Sequence, residues 1–266
     1  MQDLGLVSII MPSWNCGAFV EESIRSVQAQ TYGNWELLFQ DDCSTDDTRS
    51  KVLRMAAGDP RIKYECNERN SGAAVARNAA LRRARGRWIA FLDSDDLWVP
   101  EKLERQIQFM VENGAHFSYT KYEEIDENSH SLGRIISGPK KISRFGMFSY
   151  CWPGCLTVMY DREFIGTIQI PEIKKNNDYA MWLKVIRKAN CHLLKGNLAK
   201  YRKRTGSISN TGYISLIKWH YRLFRDVESF NAFQAYILTL NNLFWGVIKK
   251  FLYVRKKGSN DTEIHL

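Results

Sequence analysis

Short apolar runs and longer amphipathic stretches alternate regularly over the first hundred residues of the chain. The amphipathic stretches repeat their apolar positions every three to four residues, as a helix packed on one face does. The predicted strands are residues 7–11, 35–40, 61–66 and 88–92. The predicted helices between them are centred on residues 20–27, 52–56 and 73–84. This alternation predicts an α/β fold with a mostly parallel sheet and helices on both faces.

The pattern loosens after Pro100 and becomes helical again near the end of the chain. One helix should follow Pro100, strands are expected at residues 116–119 and 156–160, and a helix at residues 178–189. From Phe233 onward the apolar residues keep helical spacing for about five turns, and residues 214–224 suggest a shorter helix before it. We therefore predict two amphipathic helices in the C-terminal part of the chain.

Polar side chains collect where the predicted strands end. Trp14 and Asn15 follow the first strand, Asp42 follows the second, and residues 93–96 (Asp-Ser-Asp-Asp) follow the fourth. Ligands of parallel α/β sheets bind at this edge. Acids one residue apart repel each other unless they are protonated or bridged, and a divalent cation would bridge them and bring phosphate groups with it. The alternative is an Asp-rich turn that caps the helix after Pro100.

Charge and aromatic residues concentrate in the C-terminal region. The chain of 266 residues has a formal net charge of +9, and 44% of its residues are hydrophobic, enough for one sizeable α/β domain and an appendage. Residues 213–257 hold eight Lys or Arg against Asp226 and Glu228, and 11 of the 33 aromatic residues. This composition fits an anionic lipid surface, with nucleic acid as the competing partner. Helices packed on the main domain are an equally open interpretation.

Cysteine content and missing motifs limit the possible cellular compartments and the possible classes of protein. The six cysteines are scattered through a chain too large to need disulfides, which is typical of reduced thiols in the cytoplasm. An N-terminal signal and a run of about 18 apolar residues are both missing from the sequence, so we expect neither secretion nor a membrane span. The phosphate-binding motifs G-x4-G-K-[ST] and G-x-G-x-x-G do not occur, which argues against P-loop and classical dinucleotide sites.

Several segments in a fixed order together resemble the family 2 inverting glycosyltransferases of GT-A fold. They are residues 7–15 (VSIIMPSWN), 41–46 (DDCSTD), 70–72 (NSG), 76–78 (ARN) and 93–96 (DSDD). The resemblance covers roughly residues 5–210, and it points toward bacterial O-antigen and capsule polysaccharide sugar transferases. Cys43 stands where glycine is usual, and Asn177 with Asp178 replaces the commoner Glu-Asp pair.

The resemblance implies a domain organisation. Residues 1–210 would form the GT-A catalytic domain, with a nucleotide-sugar-binding half at 1–100 and an acceptor-binding half at 101–210. Residues 211–266 would be an amphipathic, basic helical region with a disordered end.

The resemblance also implies a donor site that binds a UDP-sugar. The implied donor contacts are Pro12, Trp14, Asn15, Asp42, Arg77, Asp93, Ser94 and Asp96. Trp14 would stack on uracil and Asp42 would accept its imide N–H. Asp95, with Asp93 beside it near the ribose, would hold Mn²⁺ or Mg²⁺. For Trp14 the alternative role is core packing.

Inversion requires a base that accepts the proton of the acceptor hydroxyl, and the resemblance points to Asp178. The alternative for Asp178 is an N-cap of the helix at 178–189. Trp182, one turn later, would form a platform for the acceptor sugar. Arg202 and Arg204 belong to a basic cluster that also contains Ser207, and they would contact a diphosphate. A solvated charged turn is an equally open interpretation of that cluster.

These inferences predict a cytoplasmic enzyme that is peripheral on the inner face of the cell membrane. It would be a metal-dependent hexosyltransferase that moves a hexose, favouring UDP-glucose or UDP-galactose, onto a polyprenyl-diphosphate-linked glycan. The expected partners are the UDP-sugar, the lipid-linked saccharide and an anionic membrane surface, without nucleic acid; the oligomeric state stays open. The alternatives are a nucleotidyltransferase of similar sheet topology and a non-catalytic basic module that binds membrane or nucleic acid.

Overall fold

A computed structural model describes residues 4–205 and 213–257 and contains one mixed sheet with helices around it. The strands are β1 (Val7–Ser13), β2 (Trp35–Asp41), β3 (Ile62–Cys66), β4 (Trp88–Phe91), β5 (Leu97–Trp98), β6 (Phe117–Ile125), β7 (Ser131–Ile136), β8 (Lys141–Ile142), β9 (Met159–Asp161), β10 (Cys191–Arg202) and β11 (Val254–Lys256). The helices are α1 (Val20–Gln28), α2 (Thr48–Gly58), α3 (Ala73–Arg83), α4 (Lys102–Glu112), α5 (Arg144–Ser149), α6 (Arg162–Ile165), α7 (Asn177–Val185), α8 (Tyr213–Arg222) and α9 (Ala232–Leu252).

The main path of the sheet runs in the order β11-β7-β6-β9-β4-β1-β2-β3. The four strands β3, β2, β1 and β4 are mutually parallel, as the alternating pattern of the first hundred residues predicts. Beyond β4 the pairings turn antiparallel at β9, β6, β7 and β11, whereas the long β10 lies parallel to β6. The prediction of a mixed α/β sheet is confirmed.

Successive side chains of β1 belong to two different cores, one on each face of the sheet. Ile9 packs in a cluster with apolar residues of α1, α2 and α4. Ile10 packs in a cluster with apolar residues of α3 and α7. The period of two along the strand therefore buries both faces, as a sheet covered by helices on both sides requires.

Pro12 lies inside the central strand β1 without leaving a gap in the ladder. The amide of Leu92 donates to the carbonyl of Ile10 (3.1 Å), so β1 residues of this parity turn their backbone groups toward β4. Since β4 ends at Phe91, position 12 has no partner strand on that side. The missing N–H of proline is tolerated there, just before the chain leaves the sheet.

The predicted strand at 156–160 is wrong in its first half. Residues Cys155–Thr157 form a 3₁₀ turn, and the strand covers only Met159–Asp161. The carbonyls of the turn accept side-chain donors instead of ladder bonds: Trp98 Nε1 reaches Leu156 O (2.7 Å) and Gln106 Nε2 reaches Thr157 O (3.0 Å). The helix predicted at 178–189 also ends earlier, at Val185.

The C-terminal region packs against the rest of the α/β fold. A short π-helix, Leu223–Val227, follows α8 and buries Leu223 and Phe224 in the core that contains α7, and β11 extends the sheet beside β7. The predicted boundary at 210/211 lies outside the described residues, and the prediction of a disordered end concerns residues that likewise lie outside them. Within the two described ranges, no helix combines the length and the apolar character needed to cross a bilayer.

Candidate active site

Trp14 and Asn15 lie where β1 ends. Trp14 is 51% exposed, so its predicted alternative role in the core is wrong. Asn15 has a left-handed backbone (φ 50°). Its side-chain oxygen accepts from the backbone N–H of Thr45 (2.8 Å), and its own backbone N–H donates to Ser44 Oγ (2.9 Å). Asn15 thus ties the loop after β1 to the loop after β2, and the turn leaves the indole of Trp14 open to a ligand.

Asp42 is buried and organises the loop that precedes α3. Its Oδ1 accepts from Asn67 Nδ2 (2.7 Å) and from the amide of Ser71 (2.9 Å), and its Oδ2 accepts from the amide of Gly72 (2.6 Å). A carboxylate offers about four lone-pair sites, so one acceptor position stays available on Oδ2. The predicted contact with the base stays a prediction, and loop anchoring is a role that the sequence did not reveal.

Asp93 and Asp95 lie on the turn after β4, and an arginine pairs with each carboxylate. Arg77 Nη2 lies 2.5 Å from Asp93 Oδ1, and Arg204 Nε lies 2.8 Å from Asp95 Oδ2. Burial, and then the negative charge of Asp93, raises the pKa of Asp95. The two acids therefore share one electrostatic environment that additional positive charge would stabilise.

These two carboxylates fit a divalent cation that is bound together with a nucleotide. The side chains of Asp93 and Asp95 are 32% and 18% exposed, so both reach the surface of the site. In the described part of the chain, no three His, Cys, Asp or Glu side chains come together as a complete metal site. Magnesium-type ions in such sites need only one or two carboxylates and take their other ligands from phosphates and water. Two carboxylates would therefore suit an ion that takes its remaining ligands from a bound phosphate and water.

Ser94 and Asp96 lie behind this surface, and their predicted contact with the donor stays a prediction. Both side chains are at most 2% exposed. Asp96 Oδ1 accepts from the amide of Arg202 (2.8 Å), and burial, followed by the charges of Asp95 and Asp93, raises the pKa of Asp96 well above its usual range. In the structure Asp96 supports the turn from inside through this bond to Arg202.

Arg77 joins the acidic turn to the start of α7. Its Nη2 donates to Asp93 and its Nη1 donates to Asn177 Oδ1 (2.6 Å), while the arginine is only 7% exposed. Burial is the largest single influence and lowers the pKa of Arg77, but the charge and hydrogen bond of Asp93 together with the charge of Asp178 contribute to a net rise. Asn177 stands where the family usually has a glutamate, and here it is the amide partner of this buried cation.

Asp178 lies in the first turn of α7, close to this link. The N-cap position is taken by Asn176, so capping is not the role of Asp178. Its Oδ1 accepts from the backbone N–H of Tyr179 (2.9 Å), and its negative charge, like that of Asp93, raises the pKa of Arg77. A half-buried carboxylate is thus held on the same side of the sheet as Asp93.

The prediction that Trp182 forms an acceptor platform is wrong. Its indole has 0% exposure and packs edge-on against Phe91, with ring centroids 5.1 Å apart, and beside Phe117 at 5.9 Å. The spacing of four residues does place Trp182 on the same face of α7 as Asp178. One turn farther along the helix, however, this face is buried against the sheet.

The predicted diphosphate contact by Arg202 is also wrong. Its guanidinium is fully buried and donates to Glu22 Oε2 (2.7 Å), to the carbonyl of Asp95 (2.7 Å) and to Ser129 Oγ (2.9 Å). It therefore anchors the acidic turn to α1 and to the loop after β6. Arg204, with 29% of its side chain exposed, stays at the surface of the site, and Ser207 lies outside the described residues.

Two contributors to the site were missed by reasoning from the sequence. Asn67 holds Asp42, and Asn177 holds Arg77. Each is an asparagine directly after a strand or at a helix start, where its short amide reaches backbone or buried groups. The departure from the usual Glu-Asp pair marks Asn177 as unusual but does not reveal its partner.

The architecture is that of solved proteins with a GT-A fold. S. aureus TarS 1–349, solved in complex with UDP-GlcNAc, superposes with a TM-score of 0.71 at 20% identity and covers 92% of this chain and 72% of TarS. A mannosyltransferase from Pyrobaculum calidifontis, PcManGT, solved with GDP-Man and Mn²⁺, gives a TM-score of 0.61 at 16% identity, covering 91% of this chain and 75% of PcManGT. At these identities the likeness concerns the fold.

The chain belongs to glycosyl transferase family 2, whose model matches residues 8–162. A relative from Escherichia coli is 42% identical over 95% of this chain and 98% of its own length. Its name is UDP-Glc:alpha-D-GlcNAc-diphosphoundecaprenol beta-1,3-glucosyltransferase WfgD. The predictions of the family and of an enzyme of the hexosyltransferase class are confirmed, and the nucleotidyltransferase and non-catalytic alternatives are set aside.

Proposed function

We propose that the protein transfers one hexose, with inversion, from a UDP-sugar to a polyprenyl-diphosphate-linked glycan during the synthesis of a surface polysaccharide. The observation that carries the proposal is the link through Arg77, which joins Asp93 on the acidic turn to Asn177 beside the carboxylate of Asp178. A donor site and a base on one side of a sheet edge are the two parts that such a transfer needs.

The donor is a UDP-sugar, with UDP-glucose or UDP-galactose preferred. The exposed indole of Trp14 offers a stacking surface for uracil, and the remaining acceptor position on Asp42 suits an imide N–H. The name of WfgD includes UDP-glucose, and TarS was solved with UDP-GlcNAc, which supports a uridine donor.

Asp93 and Asp95 would hold Mn²⁺ or Mg²⁺ beside the donor diphosphate. When bound, such an ion supplies charge neutralisation for the departing UDP. The mannosyltransferase solved with GDP-Man and Mn²⁺ supports a divalent ion in this fold. Arg204 lies 2.8 Å from Asp95, so its cation is already next to the predicted diphosphate position.

Asp178 would act as the base. In this role one carboxylate oxygen accepts the proton of the acceptor hydroxyl. The hydroxyl oxygen then attacks the anomeric carbon from the face opposite UDP, and UDP leaves. One oxygen of Asp178 accepts from the amide of Tyr179, which fixes the carboxylate. The half-buried position at the start of α7 keeps it accessible to a substrate.

The acceptor is a sugar on a polyprenyl diphosphate. WfgD, by its name, acts on GlcNAc-diphosphoundecaprenol, and its similarity spans nearly the whole of both chains. A lipid-linked acceptor of this kind lies at a membrane, so the enzyme would work as a peripheral protein on the inner face of the cell membrane. The basic residues of the C-terminal region support this location.

The test is a matrix of donors and acceptors. The purified protein is incubated with Mn²⁺, a panel of UDP-sugars and GlcNAc-diphosphate lipids with short chains, while UDP release and the mass of the lipid product are recorded. We expect one UDP-hexose to give a lipid heavier by one hexose and a stoichiometric amount of UDP. If no UDP-sugar supports transfer and a nucleotide-diphosphate sugar with another base does, the donor assignment is wrong.

A further inference from the structure

The long helix α9 has two apolar faces. Its inner face buries Ala235, Thr239 and Asn242, at helical spacing. Its opposite face carries large apolar side chains that are 45–79% exposed: Phe233, Tyr236, Ile237, Leu240, Phe244, Val247, Phe251 and Leu252. We call these eight residues the outer apolar face.

The outer apolar face is continuous along the helix. Its central members follow each other at intervals of four and three residues, which places them in one stripe on the surface. Isolated exposed apolar residues are normal on a protein surface, but a contiguous stripe of this length marks a contact with a partner. Ile214 (86% exposed) and Ile217 (45% exposed) on α8 add to the exposed apolar surface of this region.

The net positive charge of the C-terminal region favours one kind of partner. Lys218, Lys250 and Arg255 are exposed in the same region, and Asp226 and Glu228 are the acids between positions 213 and 257. Glu228 is paired with Arg187 of the turn after α7. A second copy would carry the same net positive charge and repel the first, whereas anionic lipid headgroups would neutralise this charge while the apolar side chains insert below them.

The inner face of the same helix supports the candidate active site. Asn242 Nδ2 donates to the hydroxyl of Tyr179 (3.0 Å), and this hydroxyl donates to the carbonyl of Met147 (2.7 Å). Tyr179 directly follows Asp178. Farther along, Lys249 Nζ donates to the carbonyl of Trp152 (3.2 Å). The helix that exposes the apolar stripe thus also holds the residue next to the base.

We propose that α9 is a membrane-docking helix whose outer apolar face inserts into the interfacial layer of an anionic bilayer while its inner face holds α7. Docking then keeps Asp178 at a fixed place relative to the bilayer that carries the acceptor. The docking itself depends only on the exposed surface and its charge. The consequence for the acceptor rests on the proposed function.

The test compares two triple variants of the full-length protein in vesicle flotation, with phosphatidylglycerol-containing and pure phosphatidylcholine vesicles. One variant carries Phe244→Ser, Val247→Ser and Phe251→Ser. The matched control carries Leu53→Ser, Val111→Ser and Leu132→Ser, which are 43–46% exposed elsewhere on the surface. Thermal unfolding verifies that both variants fold.

We expect the native protein and the control to float with the anionic vesicles, less so at high salt, and the α9 variant to lose about 100-fold in affinity because three apolar side chains no longer insert. Equal binding of both variants, or no binding of the native protein, would overturn the proposal. So would a native dimer in light scattering that the α9 variant dissociates, or RNA binding that displaces vesicles.

Transfer to a water-soluble acceptor with a short lipid separates this proposal from the proposed function. The α9 variant should keep native activity there, because none of its three changes touches the site, and should lose activity only on acceptors embedded in vesicles. A native protein that floats but transfers nothing would contradict the proposed function and leave docking intact. A variant equally active on embedded acceptors would contradict the docking role.

Discussion

Replacing Arg77 with methionine removes the cation that joins the acidic turn to α7 and leaves the apolar part of the side chain in place. In the native protein the guanidinium lies 2.5 Å from Asp93 Oδ1 and 2.6 Å from Asn177 Oδ1, and its side chain is 8% exposed. Loss of one partner from a fully buried ion pair costs about 3–5 kcal/mol. Because the side chain of Asp93 is 32% exposed and water can solvate it, we expect a loss of about 2 kcal/mol.

The effect on catalysis should exceed the effect on donor binding. Without the link, Asp93 and the start of α7 no longer hold a fixed separation, and a misplacement of about 1 Å lowers a rate by roughly 100-fold. We therefore expect kcat of Arg77→Met to fall about 100-fold, with a small change in the Kd for UDP. Urea unfolding, calorimetric UDP binding and transfer kinetics measure the three quantities.

Arg77→Lys is the matched control, since it keeps the charge but cannot bond to Asp93 and Asn177 together. It should recover most of the stability and little of the rate. If Arg77 contacts the donor phosphates instead, as predicted from the sequence, UDP affinity would collapse in Arg77→Met. Native kcat in both variants would refute the positioning role altogether.

Three further variants test separate parts of the structure. Asp178→Asn keeps the acceptor oxygen for the amide of Tyr179 but cannot take a proton, so kcat should drop about 10²- to 10⁴-fold at an unchanged Tm; native kcat would exclude it as the base. Asp59 has a pKa lowered to about 2, chiefly by its hydrogen bonds with Arg61, so its stabilisation is present above pH ~4 and lost as the pH falls through 2. Asp59→Asn should therefore lower the free energy of unfolding by about 2 kcal/mol at pH 7, and the difference should shrink toward pH 2; a pH-independent difference would contradict this. Lys102 is fully buried, and burial lowers its pKa well below the usual range. Lys102→Met should therefore raise the free energy of unfolding by about 1 kcal/mol in chemical denaturation. A lower free energy of unfolding in this variant would show that the native amine is well compensated in the core.

The first hundred residues of the fold could be predicted from the sequence because their signals are local and periodic. The strands β1, β2, β3 and β4 are apolar runs bounded by turn residues, and the helices between them have a single apolar face. The short strands β5, β7, β8 and β11 gave no such signal. Their pairing depends on neighbours distant in sequence, and three residues of β11 cannot show a period.

The sequence predicted where in the fold the candidate site lies better than it predicted which side chains form it. Strand ends located Trp14, Asp42, Asp93 and Asp95, since the topology brings these ends together. The sequence could not reveal which long side chains turn inward. Arg202 belongs to a basic segment that is typical of a surface. Its guanidinium nevertheless donates hydrogen bonds to backbone carbonyls and to Glu22 inside the fold.

The central claim is hexosyl transfer with inversion onto a sugar that is linked to a lipid diphosphate, and the configuration of the product tests it most directly. The enzyme is given UDP-glucose, whose glucosyl group is α-linked, together with a GlcNAc-diphosphate lipid, and the new glycosidic bond is assigned by NMR. We predict a β-linked hexose formed with one equivalent of UDP, lost in Asp178→Asn. An α-linked product, or a product formed equally well without the carboxylate of Asp178, would contradict the account.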